Sequence, residues 1–124
     1  MSIKPTFSKL QAHPKGWGDE LWIANNEKYC GKILRFKKGA SFSMHYHVKK
    51  EETWAVVKGV LKLEYFDLEK AERLEKELRE GDTVHLTPCV PHKLTALEES
   101  SVFEVSTQHF EDDSYRVEKG SSQG

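Results

Sequence analysis

Turn-forming residues divide most of this chain into short segments. Glycine stands at positions 16, 18, 31, 39, 59 and 81, and proline at 5, 14, 88 and 91. The intervening segments are rich in β-branched and aromatic residues, which favour strands. Short strands at regular spacing are typical of an all-β sandwich or barrel. We therefore expect strands at 20–24, 28–36, 41–47, 53–58, 60–66, 83–87, 92–97 and 101–107.

One segment fits two structures. Residues 67–80 are mostly helix formers, and one face of a helix would carry Leu68, Leu74 and Leu78. The segment lies, however, between the strand predicted at 60–66 and a Gly-Asp turn at 81–82. A hairpin would make it an exposed, charged strand with Leu74 and Leu78 on a shared face. We favour the hairpin because the strand pattern continues on both sides.

Length and composition indicate a single domain. The chain has 124 residues, of which 37% are hydrophobic, enough for one core and too many for a disordered chain. We expect a domain at 14–118 between an N-terminal arm at 1–13 and a flexible tail at 119–124. Six aromatic residues are typical of its core: Trp22, Phe36, Phe42, Trp54, Phe66 and Phe103.

The charge balance narrows the range of partners. Lys and Arg number 19 against 20 Asp and Glu, a net charge of −1, so no long-range field attracts nucleic acid or an anionic membrane. The longest apolar run, Trp54–Val57, is too short to cross a bilayer. The N-terminus lacks the apolar stretch of a signal peptide, so we expect a cytoplasmic protein.

Two histidines one residue apart indicate a metal site. In a strand, His45 and His47 point to the same face because side chains alternate. Glu51 and Glu52 begin the next apolar segment, and His92 follows much later. Imidazole and carboxylate ligands together suit Zn²⁺, Mn²⁺, Fe²⁺, Co²⁺ or Ni²⁺. The alternative is that the two histidines lie on a polar strand edge at the surface.

The spacing around these residues resembles the first signature motif of the cupin superfamily. Gly39 is followed after five residues by His45-Tyr46-His47, then after four by Glu52, and after six more by Gly59. The resemblance implies that Glu52 is the ligand carboxylate, because Glu51 does not have the family's distance to the last glycine.

The second cupin motif is also present, with two departures. Gly81 and His92 keep its spacing, but Thr87 and Cys89 replace the usual proline and glycine. The cysteine matters because glycine often supplies a positive φ at such a position. The resemblance implies a small jelly-roll β-barrel of one domain, with one divalent metal ion, for which we favour zinc, held by His45, His47, Glu52 and His92.

The order of further segments is similar to the C-terminal cupin domain of type II phosphomannose isomerases. The matching segments are Trp17-Gly18, Glu52–Gly59, Pro91–Leu94, Phe103–Val105 and Glu111–Arg116. Three features differ: the loop before Glu52 is longer, the Tyr-Gly-Arg after the Asp-Asp pair is missing, and no nucleotidyltransferase domain is attached. We expect a free-standing relative whose substrate need not be mannose 6-phosphate.

This resemblance implies a metal-dependent aldose–ketose isomerase of a sugar or sugar phosphate. Isomerisation through an enediol needs a base that moves a proton between adjacent carbons. Glu104 is the first candidate, and its alternative position is the solvent face of a strand. Lys93 is the second catalytic candidate, with Glu51 and His109 behind it.

Three further residues are candidates for binding the substrate. Arg116 would pair with a phosphate or a sugar-acid carboxylate, unless it forms a salt bridge with Asp112 or Asp113. Tyr46 and Trp54 complete the predicted substrate-binding set.

Other functions share this ligand set, because a fold does not fix a reaction. A non-catalytic saccharide-binding cupin and an iron-dependent cupin dioxygenase are the alternatives. We also expect a homodimer, since small barrels often bury apolar edges against a twin. The segment Ile3–Leu10, which contains Phe7, is the expected crossing arm.

Overall fold

Eleven strands make up the regular structure of residues 3–121. The computed structural model describes residues 3–121. Within this range no helical segment has the length and apolar character that crossing a bilayer requires. The strands are β1 (Gln11–Lys15), β2 (Gly18–Asn25), β3 (Cys30–Phe36), β4 (Met44–Tyr46), β5 (Glu52–Lys58), β6 (Val60–Asp67), β7 (Glu72–Arg79), β8 (Thr83–Leu86), β9 (His92–Ala96), β10 (Ser100–Ser106) and β11 (Tyr115–Glu118).

The strands form two sheets, and the chain crosses between them repeatedly. One sheet has the order β1-β2-β3-β10-β5-β8 and the other the order β11-β4-β9-β6-β7. From β3 to β6, and again from β7 to β11, each strand lies in the opposite sheet to the one before it. The paired strands are antiparallel, as in β10 with β3 and β6 with β9. This confirms the predicted all-β jelly roll.

Residues 67–80 form a hairpin, as predicted, and not a helix. β6 and β7 pair from Val60 opposite Arg79 to Asp67 opposite Glu72. Leu78 is buried against the core, whereas Leu74 stays partly exposed, so the two leucines contribute unequally. Packing of Leu78 and the ladder to β6 outweigh the local preference of this segment for a helix.

Two edge strands were not predicted. β1 contains Pro14 and crosses the predicted boundary between arm and domain, and proline is tolerated there because β1 is an edge strand. β11 is short and exposed for most of its length, without the apolar alternation that signals a strand. At the C-terminal end, Ser121 hydrogen bonds with Ser41. Residues 122–124 of the predicted tail lie outside the described residues.

The core lies between the two sheets. Three of the six aromatic residues predicted there are buried, namely Phe36, Phe42 and Trp54. The other three, Trp22, Phe66 and Phe103, are only partly buried. The core is completed by aliphatic side chains from both sheets, including Leu61, Leu94, Ala96 and Val102.

Two turns of the motifs require a left-handed backbone. Gly59 has a φ of 91°, and a Cβ there would collide with the Ser100 side chain and the Glu99 carbonyl. Cys89, in place of the second motif's glycine, keeps that conformation with a φ of 74°. Its N–H donates to the carbonyl of His47 at 2.6 Å. The substitution of cysteine for glycine therefore leaves the loop geometry intact.

Candidate metal centre

Strand pairing brings three histidines together inside the barrel. His45 on β4 lies directly opposite His92 on β9. His47 follows the last residue of β4 and points to the same side as His45, and Glu52 begins β5. The turn between His47 and Glu52 carries the chain from one sheet to the other. The four predicted ligand residues thus converge from three strands.

The distances between these side chains suit one metal ion. One ring nitrogen from each of His45, His47 and His92 lies within 4.8 Å of the others. Oε2 of Glu52 lies 3.5 Å from Nε2 of His47 and 3.8 Å from Nε2 of His92. The carboxylate therefore lies on the Nε2 side of His47 and His92.

Backbone carbonyls orient all three imidazoles. Nδ1 of His45 donates to the Ser43 carbonyl at 2.6 Å and Nδ1 of His47 to the Asp113 carbonyl at 2.6 Å. Nδ1 of His92 donates to the Val90 carbonyl at 2.9 Å. A carbonyl can only accept, so each proton lies on Nδ1 and each Nε2 is left with a free lone pair.

Burial keeps the three imidazoles neutral. Loss of solvent lowers the pKa of His45 to about 3 and that of His92 to about 3. It lowers the pKa of His47 to about 4, with the Lys50 ammonium acting in the same direction. Neutral imidazole is the form that binds metals, so the site needs no proton loss at neutral pH.

Trp54 holds the candidate ligand Glu52 in place. Its indole Nε1–H donates to Oε1 of Glu52 at 2.7 Å, which leaves Oε2 toward the imidazoles. The structure does not bring Glu51 to this point, because that carboxylate is exposed and pairs with His85 at 2.6 Å. Three neutral imidazoles and one carboxylate form a donor set that fits zinc, manganese, iron, cobalt or nickel.

A second carboxylate and a lysine lie in the same cavity. Glu104 on β10 is 3% exposed, and Oε2 of its carboxylate lies 3.1 Å from Nζ of Lys50. The same ammonium lies 3.9 Å from Oε2 of Glu52. Burial opposes the charge of Lys50, but Glu104 and Glu52 outweigh it and raise the pKa of this amine. Lys50 is therefore a protonated link between Glu104 and the ligand Glu52.

Asp113 holds the turn that carries Lys50. Its carboxylate accepts hydrogen bonds from the backbone N–H groups of Val48, Lys49 and Lys50 at 2.9 to 3.1 Å. Although burial opposes ionisation, these donors lower the pKa of the Asp113 carboxyl. The carbonyl of the same residue orients His47, so one residue positions both a ligand and the neighbouring turn.

Sequence reasoning missed the roles of Lys50 and Asp113. A lysine in a short turn is typical of the surface, and no spacing rule marks it as buried. Asp113 was considered only as a salt-bridge partner of Arg116. The three backbone N–H groups that donate to its carboxylate come together only when the turn folds.

One cavity contains the candidate metal centre. Its volume is about 350 Å³. Part of its wall is formed by His45, His47, His92, Glu52, Lys50 and Glu104. Another part comes from β1 to β3 and from the segment after β10, with the side chains of His13, Lys15, Glu20, Trp22, Lys32 and His109. The cavity is therefore large enough for a small polar molecule.

Two predicted site residues point away from this cavity. Lys93 follows the inward-facing His92 on β9, so it points outward, where Nζ lies 3.5 Å from Glu118. Tyr46 lies between His45 and His47, faces the other way and stacks on Tyr115. Both positions follow from the alternation of side chains along a strand.

The remaining predictions have mixed outcomes. Arg116 is exposed on β11 and does not line the cavity. In the Glu111-Asp112-Asp113 segment that precedes it, Asp113 contacts the site by accepting hydrogen bonds from His47 and from the backbone of Lys50. Trp54 does line the cavity, and its polar atom is engaged with Glu52. Of the base candidates, Glu104 and His109 face the cavity, and Lys93 and Glu51 do not.

Solved structures of other proteins share this fold. Oxalate decarboxylase from Bacillus subtilis aligns with a TM-score of 0.75 and 21% identity over 92% of this chain. CapF, a capsular polysaccharide assembling protein from Staphylococcus aureus, gives a TM-score of 0.75 and 17% identity over 90%. This chain spans only 33% of the length of each. KdgF from Halomonas sp. gives a TM-score of 0.66 and 21% identity, covering 76% of this chain and 82% of its own.

Sequence comparison identifies the family. No curated protein sequence matches the chain. The family model of the cupin domain (Cupin_2) matches residues 32–106, which include both signature motifs and all four residues at the candidate metal centre. The match covers more than half of the chain, and its strands form the two sheets that enclose the site. The chain therefore belongs to the cupin family.

Proposed function

We propose that this protein is a metal-dependent isomerase that interconverts the aldose and ketose forms of a small sugar or sugar phosphate. One observation carries the proposal: the Glu104 carboxylate is buried in the same cavity as the metal centre and is joined to the ligand Glu52 through Lys50. A base beside a metal ion is the pairing that isomerisation through an enediol requires.

Glu104 is suited to move the proton. Its Oε2 accepts hydrogen bonds from Lys50 Nζ and from the Ser106 hydroxyl, both at 3.1 Å. Both bonds are made to one oxygen, so Oε1 can take a proton from a substrate carbon and return it to the next without breaking either.

Lys50 supplies positive charge where negative charge develops. As an enediol forms, the substrate oxygens gain negative charge, and a protonated amine in a dry cavity stabilises such charge more strongly than water does. A divalent ion bound by His45, His47, His92 and Glu52 polarises a substrate carbonyl when present. We favour zinc as this ion, because the ligands are mainly imidazole. Manganese is a second candidate, since oxalate decarboxylase of B. subtilis, which has the same fold, contains Mn(II) centres.

Solvent deuterium exchange tests the proposal. The zinc-loaded protein is incubated in D₂O with a panel of aldoses, ketoses and their phosphates, and NMR follows deuterium at C1 and C2. We expect incorporation with at least one sugar. The Glu104→Gln variant keeps the shape of the side chain and removes the base, so its exchange rate should fall by about two to four orders of magnitude.

Two controls make the result specific. Glu77→Gln changes an exposed carboxylate of β7 and should exchange at the wild-type rate. The zinc content of Glu104→Gln should equal that of the wild type, because Glu104 is not among the ligands. No exchange with any sugar tested would reject the isomerase in favour of a saccharide-binding cupin. Oxygen consumption by the iron-loaded protein would reject it in favour of a dioxygenase.

A further inference from the structure

A second lysine is buried in the wall of the same cavity. Lys32 on β3 is 2% exposed, and its Nζ lies 3.1 Å from Nδ1 of His109 and 4.3 Å from the centre of the Trp22 ring. An ammonium that has lost nearly all of its water needs strong acceptors in return. The acceptors around Lys32 therefore indicate what else this part of the cavity can bind.

The carboxylate nearest to Lys32 is weakly engaged with it. Oε1 of Glu20 lies 3.5 Å from Nζ, beyond the range of a strong charge-assisted bond. The same oxygen accepts the Trp22 indole N–H at 2.9 Å. His109 is a neutral acceptor here, because burial, reinforced by the Lys32 charge, lowers the pKa of its imidazole. Lys32 thus faces a neutral imidazole, a carboxylate 3.5 Å away and an aromatic ring, and an oxyanion in the cavity would be a stronger partner than any of them.

A neighbouring imidazole also has an unused nitrogen. His13 on β1 lines the same cavity and stacks on Trp22, with the ring centres 4.2 Å apart. Within residues 3–121, its Nε2 is a buried side-chain nitrogen without a hydrogen-bond partner. Buried polar atoms are rarely left unpaired, so an unpaired one in a cavity wall points to a polar ligand.

We propose that Lys32 and His13 form an anion-binding subsite in the wall of the cavity that β1 to β3 provide, which takes the phosphate or carboxylate group of the substrate. This inference rests on the proposed function and narrows its substrate class to an anionic sugar. It also replaces Arg116 as the anion contact, since Lys32 lines the cavity and Arg116 does not. Lys32 lies directly opposite Glu104 in the β3–β10 ladder, so the anionic group would bind next to the reacting carbons.

The test measures equilibrium binding of two small anions. Zinc-loaded protein is titrated by NMR with inorganic phosphate and with acetate at constant ionic strength. We expect at least one anion to bind, and Lys32→Met to weaken that binding at least about tenfold. Glu20→Gln should tighten it, because the competing carboxylate is gone. Lys58→Met, on the exposed surface, should bind as the wild type does.

The two anions separate the possible substrate groups. Tight binding of phosphate alone identifies a sugar phosphate, and binding of acetate alone identifies a sugar acid. His13→Phe keeps the stack on Trp22 but removes both nitrogens, and it should also weaken binding. Lys32→Met could unfold by leaving Glu20 buried without its partner, so the double variant with Glu20→Gln removes both charges and should show the same loss.

The subsite and the proposed reaction can fail independently. Wild-type affinity in both Lys32→Met and the double variant would overturn the subsite, as would the failure of both anions to bind the wild type. Neither result would bear on deuterium exchange. Conversely, a protein that binds phosphate through Lys32 but catalyses no exchange would reject the isomerase and leave the subsite standing.

Discussion

His47 donates its Nδ1–H to the main-chain carbonyl of Asp113 at 2.6 Å, across 66 positions of the sequence. The carboxylate of the same aspartate accepts three N–H groups of the turn that follows His47. One buried residue near the C-terminus thus fixes the orientation of a metal ligand and the path of the chain from there to Lys50.

Replacing Asp113 should weaken the metal site without touching a ligand. In Asp113→Asn, one side-chain oxygen becomes an NH₂ group, which cannot accept a hydrogen bond from the backbone N–H groups that it faces. Hydrogen bonds to the turn are therefore lost and the turn shifts. We expect zinc affinity to fall about 10- to 100-fold and stability to fall by about 1–3 kcal/mol. Competition with a chromophoric chelator measures the affinity. Asp112→Asn, at the exposed neighbouring position, should match the wild type, and equal zinc affinity in the two variants would refute this role.

The metal-free protein should lose stability on mild acidification. Burial lowers the pKa of His45, His47 and His92 to about 3, 4 and 3, whereas these groups titrate near 6.5 when unfolded. From pH 6.5 down to about 4.5 the unfolded chain therefore binds more protons than the folded one, and stability falls as the pH falls. The expected slope is up to ~1.4 kcal/mol per pH unit for each histidine. His109, whose pKa burial also lowers, adds to the same trend.

Urea unfolding of the metal-free protein between pH 7 and 4.5 measures this slope. His47→Gln removes one of the titrating groups and should reduce the slope by the contribution of one proton, up to ~1.4 kcal/mol per pH unit. Carboxyls with lowered pKa values, such as Glu20, add to this slope only at the acid end of the window, where the unfolded chain begins to protonate them near 4.5. Stability that is flat across the window would show that the histidines are not buried in their neutral form.

Restoring glycine at position 89 should stabilise the protein. Cys89 holds a φ of 74° that costs a non-glycine residue about 1–2 kcal/mol. Glycine removes this cost, but it also gives the unfolded chain more freedom, which offsets part of the benefit. Cys89→Gly should therefore raise the free energy of unfolding by about 0.5–1 kcal/mol. The side chain is exposed and little packing is lost. Cys89→Ala keeps the Cβ and should show no gain in chemical denaturation, and an equal gain in both variants would point to the thiol instead.

The N-terminal arm should hold two chains together. Ile3 is 98% exposed and Phe7 is 92% exposed, an arrangement that leaves large apolar side chains in water. Burying them against a second copy would remove this cost, so light scattering should give about twice the chain mass of 14.3 kDa. Phe7→Ser should shift the mass toward one chain, and Leu68→Ser, an exposed apolar residue on the β6–β7 turn, should not. A single-chain mass for the wild type at micromolar concentration contradicts the dimer.

Local sequence rules predicted much of the fold and the metal centre. The spacing of His45, His47 and Glu52 was informative because strand alternation and turn length act over a few residues. The same alternation also places Tyr46 and Lys93 on the opposite face from their histidine neighbours, and the structure agrees with that placement. The hairpin at 67–80 needed its context, since its composition favours a helix.

Contacts between distant segments were beyond such rules. Lys50 is buried because Glu104, far along the chain, comes to lie beside it, and Lys32 meets His109 in the same way. Asp113 depends on a turn whose N–H groups come together as donors only after folding. β1 and β11 are edge strands that pack little, so they carry almost no apolar pattern.

Metal content per chain tests the central claim most directly. The protein is purified without chelator, equilibrated with zinc, dialysed and measured by elemental analysis. The wild type should hold close to one zinc ion, His47→Ala should lose most of it, and His85→Ala, which changes an exposed histidine, should keep it. Full occupancy in His47→Ala, or no bound metal in the wild type, would contradict a metal centre built from His45, His47, His92 and Glu52.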